Sequence, residues 1–312
     1  MKKIVDVAAG VITRPDGSFL LGQRAPGTFY PGYWEFPGGK VEPGETPAAA
    51  LVRELDEELG IRVHALNPWL MREHHYEHAH VRLHFFEVHD WSGEVNDHVH
   101  SALAWQWADR LEVAPMLPAN GPILKALRLP RTMGITHAGE IGVAAQLAAL
   151  DAALSAGLRL VQVREPLLDE DERGAFAVEV VRRAHAAGAL VVINGDEALA
   201  HACGADGVHL RAAQLAALEA RPDLPWVGAS CHSRTELERA AALELDYAVL
   251  GAVRETPTHP GQAALGWDGF GRLAAELSIP VLALGGVAPA DMSAARASGA
   301  HGIAAIRGAW SA

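Results

Sequence analysis

One local pattern recurs eight times in the second half of this chain. Short apolar runs alternate with alanine-rich stretches of helical character, the runs falling at 134–136, 158–164, 190–194, 207–210, 226–230, 247–251, 281–285 and 302–306. A strand joined to the next through a helix returns as a parallel neighbour. Eight such units predict a parallel sheet closed into a compact (β/α)8 TIM barrel over 134–312. The stretch is short for that architecture, so its helices must be short. In such barrels the polar residues at strand C-termini form the active face. Those positions hold Gln162, Arg164, Asn194, His209, Ser230, His232, Gly285, Gly286 and Arg307.

The first half has a mixed α and β texture. The spacing predicts strands over 5–13, 19–23, 81–88 and 105–107, with Pro15, Asp16 and Gly17 marking a turn after the first. Gly38 and Gly39 are expected to open a loop. Thr46 is a good N-cap with Pro47 at the first helical position, and Gly60 is a stop signal. A terminal helix is expected over 121–129. Residues 128–132 contain Pro130 and no apolar periodicity, which places a seam there. Two domains are therefore expected, 1–129 and 134–312, and 312 residues suffice for a core in each.

A net charge of −12 leaves no basic surface for a nucleic-acid polymer, whereas a small phosphate ester delivered with metal remains compatible. The two cysteines, Cys203 and Cys231, form no metal-ligand pair and suit a reducing cytoplasm. No cleavable leader is evident, and no run approaches the roughly 20 apolar residues that span a bilayer. A cytoplasmic protein with no membrane partner is expected, with monomer and dimer both open.

The chemistry of the first half is concentrated in Gly39-x5-Glu45-x7-Arg53-Glu54-Leu55-x-Glu57-Glu58-x-Gly60-Ile61. Glu54, Glu57 and Glu58 share one helical face at spacings of three and four. Like charges stacked this way repel. They make sense where hard divalent cations neutralise them, hold a polyphosphate and activate water against it. A solvated acidic face is the plainer reading, but the glycines and Arg53 at fixed spacing oppose it.

This run resembles the Nudix box. The flanking Trp34-Glu35-Phe36-Pro37-Gly38-Gly39-Lys40, Gly44-Glu45-Thr46-Pro47 and Leu117-Pro118-Ala119-Asn120-Gly121-Pro122 resemble MutT-type Nudix hydrolases, which remove oxidised guanine nucleotides. The resemblance covers about 1–129 and implies an α/β/α sandwich. It implies metal ligation by the Gly38 carbonyl, Glu57 and Glu58. Glu54 would activate water or hold a further metal, and Arg53 would orient Glu54. The implied ion is Mg²⁺, with Mn²⁺ as the alternative, and the products are a nucleoside monophosphate and pyrophosphate. Asn120 would read the base, and Arg24 and Phe36 would line the nucleotide pocket. The plainer readings are a helix cap for Asn120 and a surface charge for Arg24. The family places a further ligating glutamate near Val99, and Asp97 is the best neighbouring substitute, ahead of His98 and His100. The histidines at 74, 75, 78, 80, 84, 89, 98 and 100 read as strand faces rather than a metal tract.

From Gly134 onward the chain resembles the thiamine phosphate synthase and thiazole tautomerase superfamily. The carrying runs are Val161-Gln162-Val163-Arg164, Ile193-Asn194, Gly204-Ala205-Asp206-Gly207-Val208-His209-Leu210, Gly228-Ala229-Ser230, Thr256-Pro257-Thr258 and Ala283-Leu284-Gly285-Gly286-Val287. The resemblance implies a phosphate or ligand pocket built from Gln162, Arg164, Asn194, Ser230, His232, Thr256, Thr258, Gly285, Gly286 and Arg307. Synthases carry lysines where this chain has Pro166 and His259, and metal-binding aspartates where it has Gly195 and Gln214. These departures predict no thiamine phosphate synthase activity, with Asp196 as a candidate replacement for the first aspartate. His232 reads either as a proton-transfer group or as a structural histidine.

The resulting expectation is a Mg²⁺-dependent nucleoside triphosphate pyrophosphohydrolase acting on 8-oxo-dGTP. The alternatives are Nudix chemistry on another nucleotide or a thiamine-pathway pyrophosphate, with the barrel as an isomerase or a phosphate-sensing module.

Overall fold

The structure, a computed structural model, describes residues 4–77, 79–255 and 263–310. The chain divides into two compact units, Met1–Arg128 with Ala275–Ser278, and Leu129–Ala274 with Ile279–Ala312.

The first unit contains β1 (Ile4–Ile12), β2 (Phe19–Gln23), β3 (Trp34–Glu35), β4 (Gly38–Lys40), α1 (Pro47–Leu59), β5 (Arg62–His75), β6 (His80–Ser92), β7 (Ala102–Gln106) and α2 (Gly121–Leu127). One sheet has the order β4-β1-β6-β5 and the other β3-β2-β7. Strand alternation sorts the side chains into two layers. Ala8, Ile12, Leu20, Phe86 and Val88 pack with Leu51, Leu55 and Leu59 of α1. Their neighbours Ala9, Val11, Phe19, Leu21 and Phe85 pack with Ile123, Leu124 and Ala126 of α2. The result is a helix on each face of the strands. The predicted caps of α1 form: the Thr46 hydroxyl accepts from Ala49 N, and Gly60 adopts φ 68°. With Leu51, Leu55 and Leu59 turned to the core, Glu54 and Glu57 lie off that apolar face and Glu58 stays partly buried beside it.

Two sequence expectations are corrected. Gly38 and Gly39 do not open a loop; they lie in β4, antiparallel to β1. A Cβ at Gly38 would lie 2.1 Å from Ala8 O, and one at Gly39 would lie 2.2 Å from Glu54 Cδ. Glycine at 38 is therefore needed for close backbone approach, and at 39 it leaves the space that the Glu54 carboxylate takes. The sequence reading also left β5 unassigned. This edge strand contains Pro68 and slips register at Val63/Ala65, Ala65/Leu66 and Pro68/Leu70. Bulges and an internal proline erase the alternation that signals a strand, and an edge tolerates both.

The second unit contains β8 (Thr132–Ile135), α3 (Ala138–Ile141), α4 (Val143–Ser155), β9 (Leu160–Val163), α5 (Glu170–Ala186), β10 (Leu190–Asn194), α6 (Glu197–Cys203), β11 (Gly207–Leu210) and α7 (Ala212–Ala217). It continues with β12 (Trp226–Cys231), α8 (Arg234–Ala242), β13 (Tyr247–Gly251), α9 (Gly266–Ala274), β14 (Val281–Leu284), α10 (Met292–Ala297) and β15 (Gly302–Ala305). All eight strands form the closed barrel β10-β11-β12-β13-β14-β15-β8-β9. Leu160, Val192, Trp226, Tyr247, Leu282 and Ala304 are among the residues filling its interior. Several of the helices are short, as the compact chain required.

Gly228 makes room for the ring of Tyr247, which is fully buried. A Cβ there would lie 2.0 Å from Tyr247 Cζ. Gly228→Ala is expected to destabilise the barrel by about 1–3 kcal/mol through overpacking. Urea unfolding checks this, and an unchanged midpoint would mean that the ring has room to shift.

No helix among the described residues is long and apolar enough to cross a membrane.

Candidate active site

Arg53 organises the outer face of α1. Its Nε and Nη2 donate to the two oxygens of Glu45 at 2.9 and 3.1 Å. Its Nη1 donates to Glu54 at 3.0 Å and Glu57 at 3.2 Å, and Nη2 also reaches the Lys40 carbonyl at 3.2 Å. The guanidinium thus pins Glu54 over Gly39. It also supplies part of the compensation that the sequence reading assigned entirely to bound cations. The paired guanidinium holds the Glu45 carboxyl below its ordinary value.

Glu58 has no such partner. Its Oε2 is buried and makes no hydrogen bond. Burial first, then the charges of Glu54, Glu35 and Glu57, push its carboxyl up to about 7. Glu35 is the fourth carboxylate of the cluster, and sequence reasoning missed its role although it sits in the Trp34–Lys40 run. Burial raises its own carboxyl, opposed by Arg24. Arg24 is no loose surface charge: Nη1 contacts both Glu35 oxygens at 2.7 and 2.6 Å, and Nε donates to Phe29 O.

Among the described residues no three His, Cys, Asp or Glu side chains converge as a ready-made metal cage. Arg53 draws Glu54 and Glu57 toward itself while Glu58 stays inside. The donor set nevertheless fits a hard divalent cation: clustered carboxylate oxygens, one of them buried and unpartnered.

Asp97 Oδ1 accepts from His100 N at 2.7 Å, closing a local turn. The histidine tract disperses along strands. His80 meets Glu73 at 3.0 Å, His84 meets Asp6 at 2.9 Å, and His75 stacks on His80. His78 lies outside the described residues.

Asn120 is 4 % exposed, and its Nδ2 has no hydrogen-bond partner. It stands at the N-cap of α2 but makes no capping bond, so the plainer reading of it does not hold. Beside it, the Tyr76 hydroxyl oxygen accepts from the Ala119 backbone, and the ring packs on Tyr30 and His74 with centroids at 5.5 and 4.3 Å. No sequence period pointed to this aromatic shelf. Phe36 differs from expectation: just after β3, its ring packs between Phe19 and Phe85 in the core.

In the barrel, a cavity of about 690 Å³ opens at the strand C-termini. Gln162, Arg164, Asn194, Ser230 and His232 line it, as do Gly285, Gly286 and Arg307. Thr256 and Thr258, with His259, lie outside the described residues. Gln162 Nε2 donates to Asn194 Oδ1 at 3.0 Å. Burial lowers His209 to about 3, so it is neutral between Ser230 Oγ at 2.9 Å and Tyr247 OH at 3.1 Å. Among the described residues the His232 ring reaches the Gly251 carbonyl, at 3.4 Å. Asp196 does not replace the lost aspartate. It caps α6 by accepting from Leu199 N at 2.9 Å, and its other oxygen lies 3.6 Å from Arg173. Sequence reasoning also overlooked Arg211, which lines the same cavity.

Residues 3–127 match the NUDIX domain family, and residues 132–309 match the family described as thiamine monophosphate synthase. The CTP pyrophosphohydrolase of Escherichia coli is 40% identical over 124 residues, spanning 40% of this chain and 91% of that protein. The 8-oxo-dGTP diphosphatase of Haemophilus influenzae is 38% identical over 128 residues, 40% of this chain and 93% of that protein. The thiamine-phosphate synthase of Thioalkalivibrio sulfidiphilus is 37% identical over 166 residues, 51% of this chain and 78% of that protein. The carboxylate face of α1 and the closed eight-stranded barrel thus have separate kin, and the chain belongs to the Nudix family through its first half and to the thiamine monophosphate synthase family through its second.

Proposed function

We propose that the first half is a nucleoside triphosphate pyrophosphohydrolase acting on 8-oxo-dGTP. The reading rests on the carboxylates of Glu35, Glu54, Glu57 and Glu58, one of which has a buried oxygen without a partner. Glu54, Glu57, Glu58 and the Gly38 carbonyl would hold Mg²⁺, or Mn²⁺ in its place. When bound, such ions supply Lewis-acid neutralisation of phosphate charge. Glu54, oriented by Arg53, takes the proton of the attacking water. Substitution at the β-phosphorus then separates a nucleoside monophosphate from pyrophosphate.

The Asn120 amide supports recognition of an oxidised purine. A buried amide both donates and accepts, and a purine edge carrying both kinds of group satisfies it. The CTP pyrophosphohydrolase relative favours a second reading, in which the same amide meets a pyrimidine. Competition among 8-oxo-dGTP, dGTP and CTP separates the two. Asn120→Ala is expected to reduce the preference for 8-oxo-dGTP over dGTP by roughly tenfold, with little change in the rate for dGTP. Equal kcat/KM for all three nucleotides in the unaltered protein would sink the proposed substrate while leaving the chemistry intact.

The barrel is proposed to lack thiamine phosphate synthase activity. Gly195 and Gln214 offer no carboxylate where diphosphate displacement needs metal.

A further inference from the structure

The barrel cavity does not fit the metal that its family implies. Gly195, at φ 67°, has no side chain, and a Cβ there would lie 2.8 Å from Arg211 Nε and 3.0 Å from Gln214 Oε1. The missing side chain is thus the space that Arg211 and Gln214 use. Gln214 is held in that role: its Nε2 donates to Gly195 O at 3.0 Å, and its Oε1 accepts from Arg211 Nε at 3.1 Å. A guanidinium stands where carboxylates and a cation are expected.

The rest of the cavity has matching chemistry. Its described charged lining consists of Arg164, Arg211, Arg307 and a single acid, Glu255, beside neutral His209. Arg307 pairs with Glu140 at 3.1 Å. Among the described residues Arg164 and Arg211 have no carboxylate partner. Neutral His209 bridges Tyr247 OH and Ser230 Oγ, which fixes the Ser230 hydroxyl at the cavity wall. Gln162 occupies Asn194 Oδ1, which leaves the Asn194 Nδ2 group as a donor. Ile135, Val249 and Leu284 form an apolar wall.

We infer that the barrel cavity binds a small organic phosphate monoester without a divalent metal, with Arg211 supplying the positive charge at the position a metal would hold. Two guanidiniums match a dianionic phosphate through forked hydrogen bonds, and the apolar wall receives a ring or hydrocarbon body.

The test is calorimetric titration of the full chain with phenyl phosphate in EDTA, repeated in Mg²⁺, with benzoate as the monoanionic arm. Phenyl phosphate is expected to bind in EDTA, more tightly than benzoate, and Mg²⁺ leaves its affinity unchanged. Arg211→Gln, at an exposed position where folding is unaffected, weakens binding roughly tenfold or more. Gly195→Asp weakens binding in EDTA, because its side chain displaces the guanidinium, and makes the remaining affinity respond to Mg²⁺. Glu58→Gln, in the other unit, leaves phenyl phosphate binding unchanged, which separates this site from the nucleotide site. Binding that requires Mg²⁺ in the unaltered protein overturns the inference. So does Arg211→Gln with full affinity, or loss of binding in Glu58→Gln.

Discussion

Glu54→Gln is expected to lower kcat for nucleotide hydrolysis by about 10³-fold, the usual scale for removing a positioned proton acceptor. The glutamine keeps the shape of the side chain, so the Gly39 contact and the hydrogen bond from Arg53 both survive. What disappears is the basic oxygen. KM is therefore expected to change little, and the loss to fall on the chemical step. Arg53→Ala is a useful companion: it frees Glu45, Glu54 and Glu57 together, so it lowers kcat and also loosens α1 against β4. A Glu54→Gln protein with full turnover would falsify the assigned role.

Glu58→Gln separates activity from stability in opposite directions. The folded carboxyl titrates at about 7, above its ordinary 4.5, because burial and the neighbouring carboxylates oppose its charge. A raised carboxyl favours the folded state while protonated. That stability is complete below about pH 4.5 and is lost as pH rises through about 7. Metal-free protein at pH 8 then carries a half-buried charge that glutamine does not. In EDTA at pH 8 the variant is expected to be more stable by on the order of 2 kcal/mol, after discounting for partial exposure. At pH 4 the two proteins should unfold together. Mg²⁺ reverses the order, because the cation stabilises the carboxylate form and has less to bind in the variant. Turnover falls by about 10²-fold or more. Identical melting curves in EDTA from pH 4 to pH 8 would rule out the proposed strain at Glu58.

Some features were legible because they depend on neighbours in the chain. Thr46, Pro47 and Gly60 bound α1 through local hydrogen bonds and backbone conformation, and they appear where the sequence placed them. The eight barrel strands were legible for a similar reason: each is an apolar run punctuated by polar or alanine-rich crossovers. The strand β5 was not, since its bulges and Pro68 remove any single period. Gly38 and Gly39 were misread because glycine signals both loops and close approach, and only the position of Ala8 and Glu54 selects between them. Phe36 likewise kept its family label in the sequence but took a core place between two other rings.

Charge shows the same division. The sequence by itself determined that three glutamates share one helical face, because helical periodicity needs no partner. It also determined that Gly195 and Gln214 lack the carboxylates of their family. Tertiary structure alone decided that Arg53 restrains two of those glutamates, that Glu35 joins the third, and that Arg211 occupies the space beside Gly195. Burial and Coulombic coupling depend on distances between segments far apart in the chain, and those distances exist only once the strands and helices have packed.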